Sequence, residues 1–385
     1  MPVKILSVDD EMDLELLLTQ YFRRKIRHGE YEFKFAHNGL EALTMLLKEK
    51  DFDIILSDIN MPEMDGLTLL TKINEMQNPA LKCIMVSAYG DMENIRTAMN
   101  NGAFDFATKP IDLDDLQKSI NNAVEQIRFI RESQKEHEQL KDIQSDLRIA
   151  SEIQHAILPT NKNVLPKDLY DMATLMDPAK DVGGDFYDYF KTDENRLGFV
   201  MADVSGKGVP AALFMAVSRT LLKATGLRDL VSKDCMTNVN DLVCGESVDG
   251  MFVTVFYGRL NISTGEIDYT NAGHNPPYVV HADGKVEVVP AQGNMVLGAV
   301  EKFQYKNDKI TLEKGDMLFT FTDGVTEAMN KNGEQFGEKR LEELLRTCGK
   351  KTSQETIDTV RAAVAEWAGE TEQSDDVTML VIKRK

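Results

Sequence analysis

The chain has 385 residues, of which 42% are hydrophobic and 28% are charged, a composition typical of a globular protein with two or three domains. Its formal net charge of -19 argues against nucleic acid or an anionic membrane as the main partner, because both repel an acidic surface. No apolar run approaches the roughly 20 residues that span a bilayer, and the N-terminal sequence does not resemble a signal peptide. We therefore expect a cytoplasmic protein. The four cysteines lack CxxC spacing and predict neither a disulfide framework nor a zinc site.

Residues 1–122 alternate short apolar runs with amphipathic segments, which is typical of a parallel sheet covered by helices on both faces. The predicted strands are Lys4–Val8, Glu32–Ala36, Ile54–Ser57, Cys83–Ser87 and Phe104–Thr108. The predicted helices are Glu11–Lys25, Gly39–Glu49, Gly66–Glu75 and Met92–Asn100. In such an α/β sheet, ligands collect at the carboxyl ends of the strands.

Charged side chains follow three of these strands. Asp9 and Asp10 follow the first strand, Asp58 the third and Lys109 the fifth. Because parallel strand ends converge, we expect the carboxylates and the ammonium in one pocket, where a cation such as Mg²⁺ offsets the repulsion. Asp58 would accept a phosphoryl group, while Lys109 and the hydroxyl of Ser87 would contact its oxygens. For any one of these aspartates the simpler interpretation is a loop cap, but the set favours a phosphoryl site.

Four segments resemble the receiver domains of bacterial two-component response regulators: VDDE (8–11), SDINMPEMDG (57–66), VSAYG (86–90) and ATKP (107–110). The resemblance covers the first 120 residues and implies a flavodoxin-like fold with a five-stranded parallel sheet. It also implies a histidine kinase as partner.

The resemblance assigns a role to each site residue. Asp58 would be the phospho-acceptor, and Mg²⁺ would be held by Asp9, Asp10, Asp58 and the carbonyl of Asn60. Ser87 and Lys109 would sense the phosphoryl group. Phe106 would be the switch aromatic, which rotates inward on phosphorylation.

From about residue 112 to 157 the sequence predicts one long charged helix, which Pro159 ends. Its apolar residues recur with heptad spacing at Leu113, Leu116, Ile120, Ala123, Ile127 and Ile130, and again at Leu140, Ile143, Leu147, Ala150 and Ile157. A polar stretch at Gln134 and His137 separates the two runs and shifts the spacing by about one residue. We predict a coiled-coil linker over residues 123–158 that forms a parallel homodimer. The alternative is a surface helix that packs on its own domain.

Residues 159–385 combine β-rich stretches with a few helices. Turn signals stand at Asn261–Gly265 and Asp283–Gly284. The predicted helices are Pro210–Lys223, Glu338–Thr347 and Ser353–Ala368, and the predicted last strand is Val377–Ile382.

Aspartates of this region stand beside glycine or at the ends of apolar runs: Asp185, Asp203, Asp323, Asp375 and Asp376. Such an arrangement builds a metal site of oxygen ligands. Because His and Cys ligands do not converge in the sequence, Mg²⁺ or Mn²⁺ is favoured over zinc. Two ions about 4 Å apart that share Asp203 would hold a bridging water for in-line attack on phosphorus.

Seven segments resemble the bacterial branch of PPM-type metal-dependent protein serine/threonine phosphatases, which contains sporulation and general-stress phosphatases: IQHAILP (153–159), GGDFYD (183–188), ADVSGKGVPAAL (202–213), MFVTVFYG (251–258), NAGHNPP (271–277), TDGVTEAMN (322–330) and SDDVTML (374–380). The resemblance implies an α+β fold, a β-sandwich flanked by helices, and two Mn²⁺ or Mg²⁺ ions.

The resemblance also distributes the metal ligands. Asp203 would bridge both ions and the Val204 carbonyl would bind one of them. Asp323 and Asp375 would hold the other ion, and Asp185 would act through bound water. Asp376 lies beside a ligand and is a further metal candidate.

Three residues leave alternatives open. Ser205 stands where many eukaryotic members have a histidine as candidate leaving-group acid, so metal-bound water is the substitute source of that proton. His274 is either catalytic or part of a rigid turn. Lys207 either meets substrate phosphate or is an exposed turn lysine.

The predicted function is that of a response regulator whose phosphorylation at Asp58 activates a protein serine/threonine phosphatase through the linker. The resemblance implies a phosphorylated STAS-type anti-sigma factor antagonist as substrate, in a partner-switching pathway. The alternative is a catalytically silent, receiver-controlled binding protein. Such a protein is expected to lack at least one metal-ligand aspartate, and none is missing.

Overall fold

The computed structural model describes residues 2–88, 91–160, 164–247 and 250–385. They fall into two compact units, of which the first ends at Ile143 and the second covers Gln144–Lys385. Tyr89 and Gly90, which end the predicted VSAYG motif, lie outside the described residues. Among the helices of the described ranges, none is both long and apolar enough to cross a membrane.

The N-terminal unit is built on a parallel sheet with the strand order β2-β1-β3-β4-β5. Its strands are β1 (Val3–Val8), β2 (Tyr31–Ala36), β3 (Ile54–Asp58), β4 (Lys82–Ala88) and β5 (Asp105–Lys109). Its helices are α1 (Met12–Tyr21), α2 (Arg23–Arg27), α3 (Gly39–Lys48), α4 (Gly66–Glu75), α5 (Met92–Asn100) and the first part of α6 (Leu113–Ile157). The predicted flavodoxin-like fold is confirmed.

One predicted helix is wrong in its length. The segment Glu11–Lys25 breaks into α1 and α2 at Phe22, where the backbone leaves helical geometry (φ -85°, ψ 6°). The Phe22 side chain is buried and its ring stacks on that of Phe33, with centroids 5.4 Å apart. The free energy gained by burying this aromatic side chain exceeds the local preference of the segment for one continuous helix.

Close packing fixes the chain after β3. Asp65 caps α4, because its Oδ1 accepts a hydrogen bond from the Thr68 N–H at 2.7 Å. Gly66 lies so close to β3 that a Cβ atom there would stand 2.1 Å from the Asp58 carbonyl oxygen. The glycine therefore lets the start of α4 rest directly on the end of the strand that carries Asp58.

The start of α6 belongs to the core of the N-terminal unit. Leu116, Ile120, Ala123 and Ile127 are buried against strand residues such as Ile54. For this part of α6 the prediction of a free heptad seam is wrong and the alternative, a helix packed on its own domain, is right. Over three or four turns a heptad pattern and an ordinary amphipathic pattern are the same.

The middle of α6, over residues 131–146, is exposed. Arg131 still contacts the sheet, since its Nη2 lies 2.6 Å from Oδ1 of the buried Asp53. Leu140 and Ile143 are 58% and 55% exposed. Pairing of this exposed part of α6 in a homodimer stays a prediction.

The C-terminal unit contains two antiparallel sheets, in the orders β13-β10-β9-β8-β7 and β12-β11-β14-β15-β6. Its strands are β6 (Tyr170–Asp177), β7 (Phe186–Asp193), β8 (Arg196–Val204), β9 (Val253–Asn261), β10 (Glu266–Ala272), β11 (Tyr278–Val280), β12 (Val286–Val288), β13 (Asp308–Thr311), β14 (Met317–Phe321) and β15 (Val377–Arg384). Its helices after α6 are α7 (Val209–Gly226), α8 (Ser232–Glu246), α9 (Gly337–Arg346) and α10 (Ser353–Ala368). The predicted α+β sandwich with flanking helices is confirmed.

Strict alternation along the strands divides the C-terminal unit into layers. On β8, Phe199 and Met201 face the opposite sheet, whereas Val200 and Ala202 face α7 and α8. On β15, Leu380 likewise faces the interior of the sandwich, and its neighbours face α9 and α10. The order of layers is therefore helices, sheet, sheet, helices. Helix α8 was not predicted, because its Ser, Asp, Thr and Asn residues have low helix propensity.

The contrast between the buried start of α6 and its exposed middle gives a first testable prediction. Leu116→Ala removes a buried side chain and is expected to destabilise the N-terminal unit by about 2–5 kcal/mol. Leu140→Ala, the matched substitution at an exposed position, is expected to change its stability by less than about 0.5 kcal/mol. Hydrogen exchange of the β1 and β3 amides would measure both effects. Equal protection in the two variants would contradict this assignment of the helix.

Candidate functional site

Three carboxylates of the N-terminal unit meet at the ends of β1 and β3. One ligand oxygen from each of Asp9, Asp10 and Asp58 lies within 4.8 Å of the others. Lys109, at the end of β5, places its Nζ 2.8 Å from Asp58 Oδ2 and 2.9 Å from Asp9 Oδ2. A third carboxylate contact of this ammonium, 3.0 Å from Glu11 Oε1, was not foreseen from the sequence.

The charges of this cluster do not cancel. Burial lowers the pKa of Lys109, but hydrogen bonds to Asp58, Asp9 and Glu11 outweigh burial and raise it above its usual value. Burial raises the pKa of Asp9. One ammonium thus stands among four carboxylates, counting Asp10, and an all-oxygen donor set of this kind fits Mg²⁺.

The remaining predicted residues are Asn60, which follows Asp58 by two positions, Ser87 on β4 and Phe106 on β5. Asp58 Oδ1 accepts hydrogen bonds from the backbone N–H groups of Ile59 at 2.6 Å and Asn60 at 3.4 Å. Ser87 lies near the end of the neighbouring β4 and is fully buried, and its Oγ has no hydrogen-bond partner among the described residues. A buried hydroxyl without a partner is costly, and an arriving anionic oxygen would supply one. Phe106, on β5, is 37% exposed.

The predicted metal ligands of the C-terminal unit come from both sheets. Asp185 precedes β7 and Asp203 lies near the end of β8, and these two strands pair. Asp323 follows β14 and Asp375 precedes β15, which pair in the other sheet. Burial and then the negative charges of Asp323 and Asp375 raise the pKa of Asp203 to about 7. The two sheets therefore bring their carboxylates together at one end of the sandwich.

The same crowding affects the other carboxylates. Asp185 is buried, and burial together with the charge of Asp203 raises its pKa well above the usual value. Its Oδ2 accepts a hydrogen bond from Thr322 Oγ1 at 2.7 Å. Burial and the charge of Asp375 raise the pKa of Asp323. Charges held this close favour divalent cations, and the donors fit Mg²⁺ or Mn²⁺.

The ligand oxygens of this second site are more widely spaced than those of the first. In the described part of the chain, they form no group of three within 4.8 Å of one another, unlike the N-terminal cluster. Lys207 also occupies one edge, because its Nζ lies 2.8 Å from Asp375 Oδ2 and donates a hydrogen bond to the Ser374 carbonyl at 2.7 Å. Lys207 is therefore tied to a predicted ligand.

Asp376 holds the loop before β7. Its Oδ1 accepts a hydrogen bond from the Ala179 N–H at 2.8 Å, and its Oδ2 accepts one from the Gly184 N–H at 2.9 Å. A Cβ atom at Gly183 would lie only 2.0 Å from Asp376 Oδ2, so the glycine is needed for this approach. Because backbone donors engage both oxygens, the geometry favours a positioning role for Asp376 over the predicted role as a metal ligand.

The loop before β7 also touches α6. The side chain of Gln154, buried on α6, donates from Nε2 to the Gly183 carbonyl at 2.6 Å and accepts the Gly183 N–H at Oε1 at 3.2 Å. This paired contact was not foreseen from the sequence. It joins the helix to the loop that carries Asp185.

Val204 and Ser205 continue β8 into the turn before α7. A Cβ atom at Gly184 would lie 2.9 Å from the Val204 carbonyl oxygen, so Gly184 leaves that carbonyl room. The hydroxyl of Ser205 accepts a hydrogen bond from the Phe252 N–H at 2.9 Å. Ser205 is thus tied to the segment before β9.

His274 links the two sheets. Its Nε2 lies 3.1 Å from the Phe321 carbonyl oxygen, which can only accept, so Nε2 carries the hydrogen. Its Nδ1 then accepts from Thr254 Oγ1 at 2.8 Å. Burial lowers the pKa of His274 to about 4, and the ring is neutral at pH 7. The contacts favour the rigid-turn alternative over a catalytic role, and they connect β9 with β14 two residues before Asp323.

Comparison with known proteins identifies relatives of both units. Residues 193–385 match the family model described as Stage II sporulation protein E (SpoIIE), and residues 5–121 match the response regulator receiver domain. Over 257 residues the chain is 32% identical to the phosphoserine phosphatase RsbU of Bacillus subtilis, covering 65% of this chain and 74% of RsbU. Over 256 residues it is 32% identical to protein IcfG of Synechocystis, covering 58% of this chain but only 40% of IcfG.

A solved structure shares the fold. The SiaA-PP2C domain of Pseudomonas aeruginosa superposes with a TM-score of 0.57 at 23% sequence identity, covering 63% of this chain and 98% of that domain. At this level of identity the similarity concerns the fold alone.

The buried imidazole gives a second test. An unfolded histidine titrates near pH 6.5, whereas folded His274 resists protonation until about pH 4. Since the unfolded chain binds the proton more readily, the contribution of His274 to stability is complete above pH 6.5. It is lost as the pH falls towards 4, by about 3 kcal/mol.

The variant His274→Gln can form both hydrogen bonds but does not titrate, so it should lack this component of the pH dependence. Urea unfolding at pH 7 and pH 4.5, followed by the fluorescence of Trp367, the single tryptophan, would compare the two proteins. Other titrating groups are common to both and cancel. The same pH dependence in the variant would show that the proton binds elsewhere.

Proposed function

The chain belongs to the SpoIIE family of PPM-type phosphatases and carries a response regulator receiver domain, and from this premise we propose that it is a metal-dependent protein serine/threonine phosphatase controlled by its receiver. The observation that carries the proposal is the meeting of Asp185 and Asp203 from one sheet with Asp323 and Asp375 from the other. Without cations such a cluster is unfavourable for the fold, because its buried charges repel one another.

In the proposed site, the ligands are the carboxylates of Asp203, Asp323 and Asp375 and the carbonyl of Val204, with Asp185 acting through water. When bound, two Mn²⁺ or Mg²⁺ ions supply a water of lowered pKa for attack on phosphorus. The chain's own contribution is positioning. Thr322 orients Asp185 by its hydrogen bond, and Asp376 fixes the loop before β7.

For the receiver, we propose Asp58 as the acceptor of a phosphoryl group from a histidine kinase, with Mg²⁺ held by Asp9, Asp10, Asp58 and the Asn60 carbonyl. Lys109 already lies on the Asp58 carboxylate and would keep its charge beside the added phosphoryl oxygens. Ser87 supplies a buried hydroxyl without another partner among the described residues. Phe106 would turn inward from its half-exposed position.

The proposed substrate is phosphoserine or phosphothreonine on a STAS-type anti-sigma factor antagonist. RsbU, to which the chain is 32% identical, is described as a phosphoserine phosphatase. The proposed division of the chain is a receiver over residues 1–122, a linker over 123–158 and a phosphatase over 159–385. Packing of Ala123 and Ile127 in the N-terminal core leaves the free part of the linker to begin after them.

We propose that α6 carries the signal. The helix is continuous from Leu113 to Ile157, its exposed middle is suited to pair with a second copy, and Gln154 near its end holds Gly183. A change in the pairing or rotation of the helix would move Gln154 and hence the loop that carries Asp185. Activation would follow if phosphorylation favours the arrangement in which that loop is correctly placed.

The catalytic proposal is tested by Asp203→Asn. Loss of the shared ligand should lower Mn²⁺-dependent hydrolysis of p-nitrophenyl phosphate at least about 100-fold, since even the loss of an outer-shell partner costs 10–100-fold. Asp168→Asn, at an exposed turn, is the matched control and should retain activity. Unchanged turnover in Asp203→Asn would refute the site, and inactivity of the unaltered protein with Mn²⁺ would favour the silent binding protein.

The coupling proposal is tested with beryllofluoride, a mimic of the phosphoryl group on aspartate. Beryllofluoride should raise phosphatase activity in the unaltered protein and leave Asp58→Asn unaffected. Ile143→Pro breaks the helix at a cost of about 3 kcal/mol and should abolish the response while basal activity remains. Ile143→Ala keeps the helix and is the control. A normal response in Ile143→Pro would exclude transmission through α6.

A further inference from the structure

A cavity of about 270 Å³ lies beside the proposed catalytic cluster in the C-terminal unit. Its lining includes Gly324 and Asp375, so the cavity adjoins both the turn after β14 and the segment before β15. On the other side it is bounded by the last turns of α10. Neither the metal ligands nor the coupling proposal accounts for this space.

One part of the cavity lining is apolar, whereas the other part, which includes Asp177, Arg361, Glu372 and Gln373, is polar. The floor of the cavity contains Val364 and Val377, which are buried, and its walls contain Ala365, Ala368 and Ala328. All of these side chains are small or branched hydrocarbons. An apolar group placed among them would lose contact with water and gain dispersion contacts.

Several polar groups around the cavity have partners, and the lining also includes Thr371, Glu372 and Ser374. Arg361 Nη2 lies 2.8 Å from Asp177 Oδ2. The amide nitrogen of Gln373 donates to the carbonyl oxygens of Asp177 and Asp375, both at 2.8 Å. Lys207 pairs with the Asp375 carboxylate. An acidic ligand would meet the carboxylates of Asp177 and Asp375 and find both nearby cations already paired.

The size of the cavity indicates the kind of occupant. Small-molecule sites usually enclose about 300–1,000 Å³, whereas a cavity of about 150 Å³ is sufficient for a benzene ring. The observed volume is suited to one large apolar side chain. Consecutive residues of an extended peptide are about 3.3 Å apart, so a residue within three positions of a phosphoserine can reach a cavity that adjoins the catalytic cluster.

We propose that this cavity is a specificity pocket that binds a large apolar side chain, such as leucine or methionine, of the phosphoprotein substrate close to its phosphoserine. The inference rests on the proposed phosphatase function and extends it. Arg361, Gln373 and the segment before β15 form the polar rim over which the substrate chain passes. A substrate without such a residue is bound by its phosphate alone and is a poorer substrate.

The test uses the full-length protein with Mn²⁺ and synthetic peptides. In these peptides a phosphoserine is flanked by three glycine or alanine residues on each side, and leucine or glutamate replaces one flanking residue at a time. At one or more positions, leucine should raise kcat/KM about 10-fold over alanine, in line with other apolar pockets. Glutamate at the same position should give no gain.

Two alanines of α10 provide matched variants. Both Ala362 and Ala365 are exposed, but only Ala365 lines the cavity. Ala365→Phe should fill the pocket and abolish the leucine preference, whereas Ala362→Phe should keep it. Ala368→Leu, which narrows the same wall, should reduce the preference and serves as a second variant if the first does not fold. Hydrolysis of p-nitrophenyl phosphate, which has no flanking residue, should be unchanged in all three.

The outcomes separate the two proposals. Absence of a leucine preference in the unaltered protein, or its persistence in Ala365→Phe and Ala368→Leu, would overturn the pocket while leaving phosphatase activity established. An equal loss against p-nitrophenyl phosphate would also overturn it, because the cavity would then act through the catalytic turn. If the unaltered protein hydrolyses none of these substrates, the proposed function fails and the pocket fails with it.

Discussion

Repulsion between carboxylates held close together is the constraint on which both units depend. Folding brings these groups to the ends of strands, where burial removes the water that would otherwise screen them. In the N-terminal unit Lys109 offsets part of the charge from within the chain. Among the described residues of the C-terminal unit, Lys207 is the one cation that contacts a ligand candidate, and it lies at one edge. Burial, together with the charges of Asp323 and Asp375, raises the pKa of Asp203. The first site is thus partly neutralised before any cation arrives, while the second depends on cations far more.

Around the second site, several side chains serve to hold others in place. Asp376 and Gln154 both bind the backbone of the loop before β7, and they come from opposite ends of the C-terminal unit's sequence. Thr322 orients Asp185, and His274 joins the two sheets. These contacts position the candidate ligands through the hydrogen bonds of the chain itself. The same loop is therefore held by β15 on one side and by α6 on the other, which makes it a suitable point for control.

Much of this arrangement follows from the sequence, because local patterns have simple spatial consequences. Parallel strands place their ends together, so Asp9, Asp58 and Lys109 were predicted to meet. The sandwich of the C-terminal unit is implied by the resemblance of seven segments to PPM-type phosphatases, and not by a local pattern of its strands. Long-range contacts are different, since the pairing of Gln154 with Gly183 has no local signal. The prediction of a free heptad seam at the start of α6 is wrong for a related reason. Over a few turns, a buried helix face and a coiled-coil seam have the same spacing of apolar residues.

The candidate metal ligands of the C-terminal unit are divided between two sheets, and this division affects how the unit tolerates substitutions in its interior. Asp203 and Asp323 are carried by different sheets, and the distance between them depends on the thickness of the layer that separates the sheets. That layer is filled by large aromatic side chains, including Phe256 and Tyr269, whose ring centroids lie 5.4 Å apart. A substitution there would alter the spacing of the ligands even at a distance from them. The sequence of the sandwich interior is consequently not independent of metal affinity, and variants selected for greater stability in that interior would also change how tightly the site holds its ions.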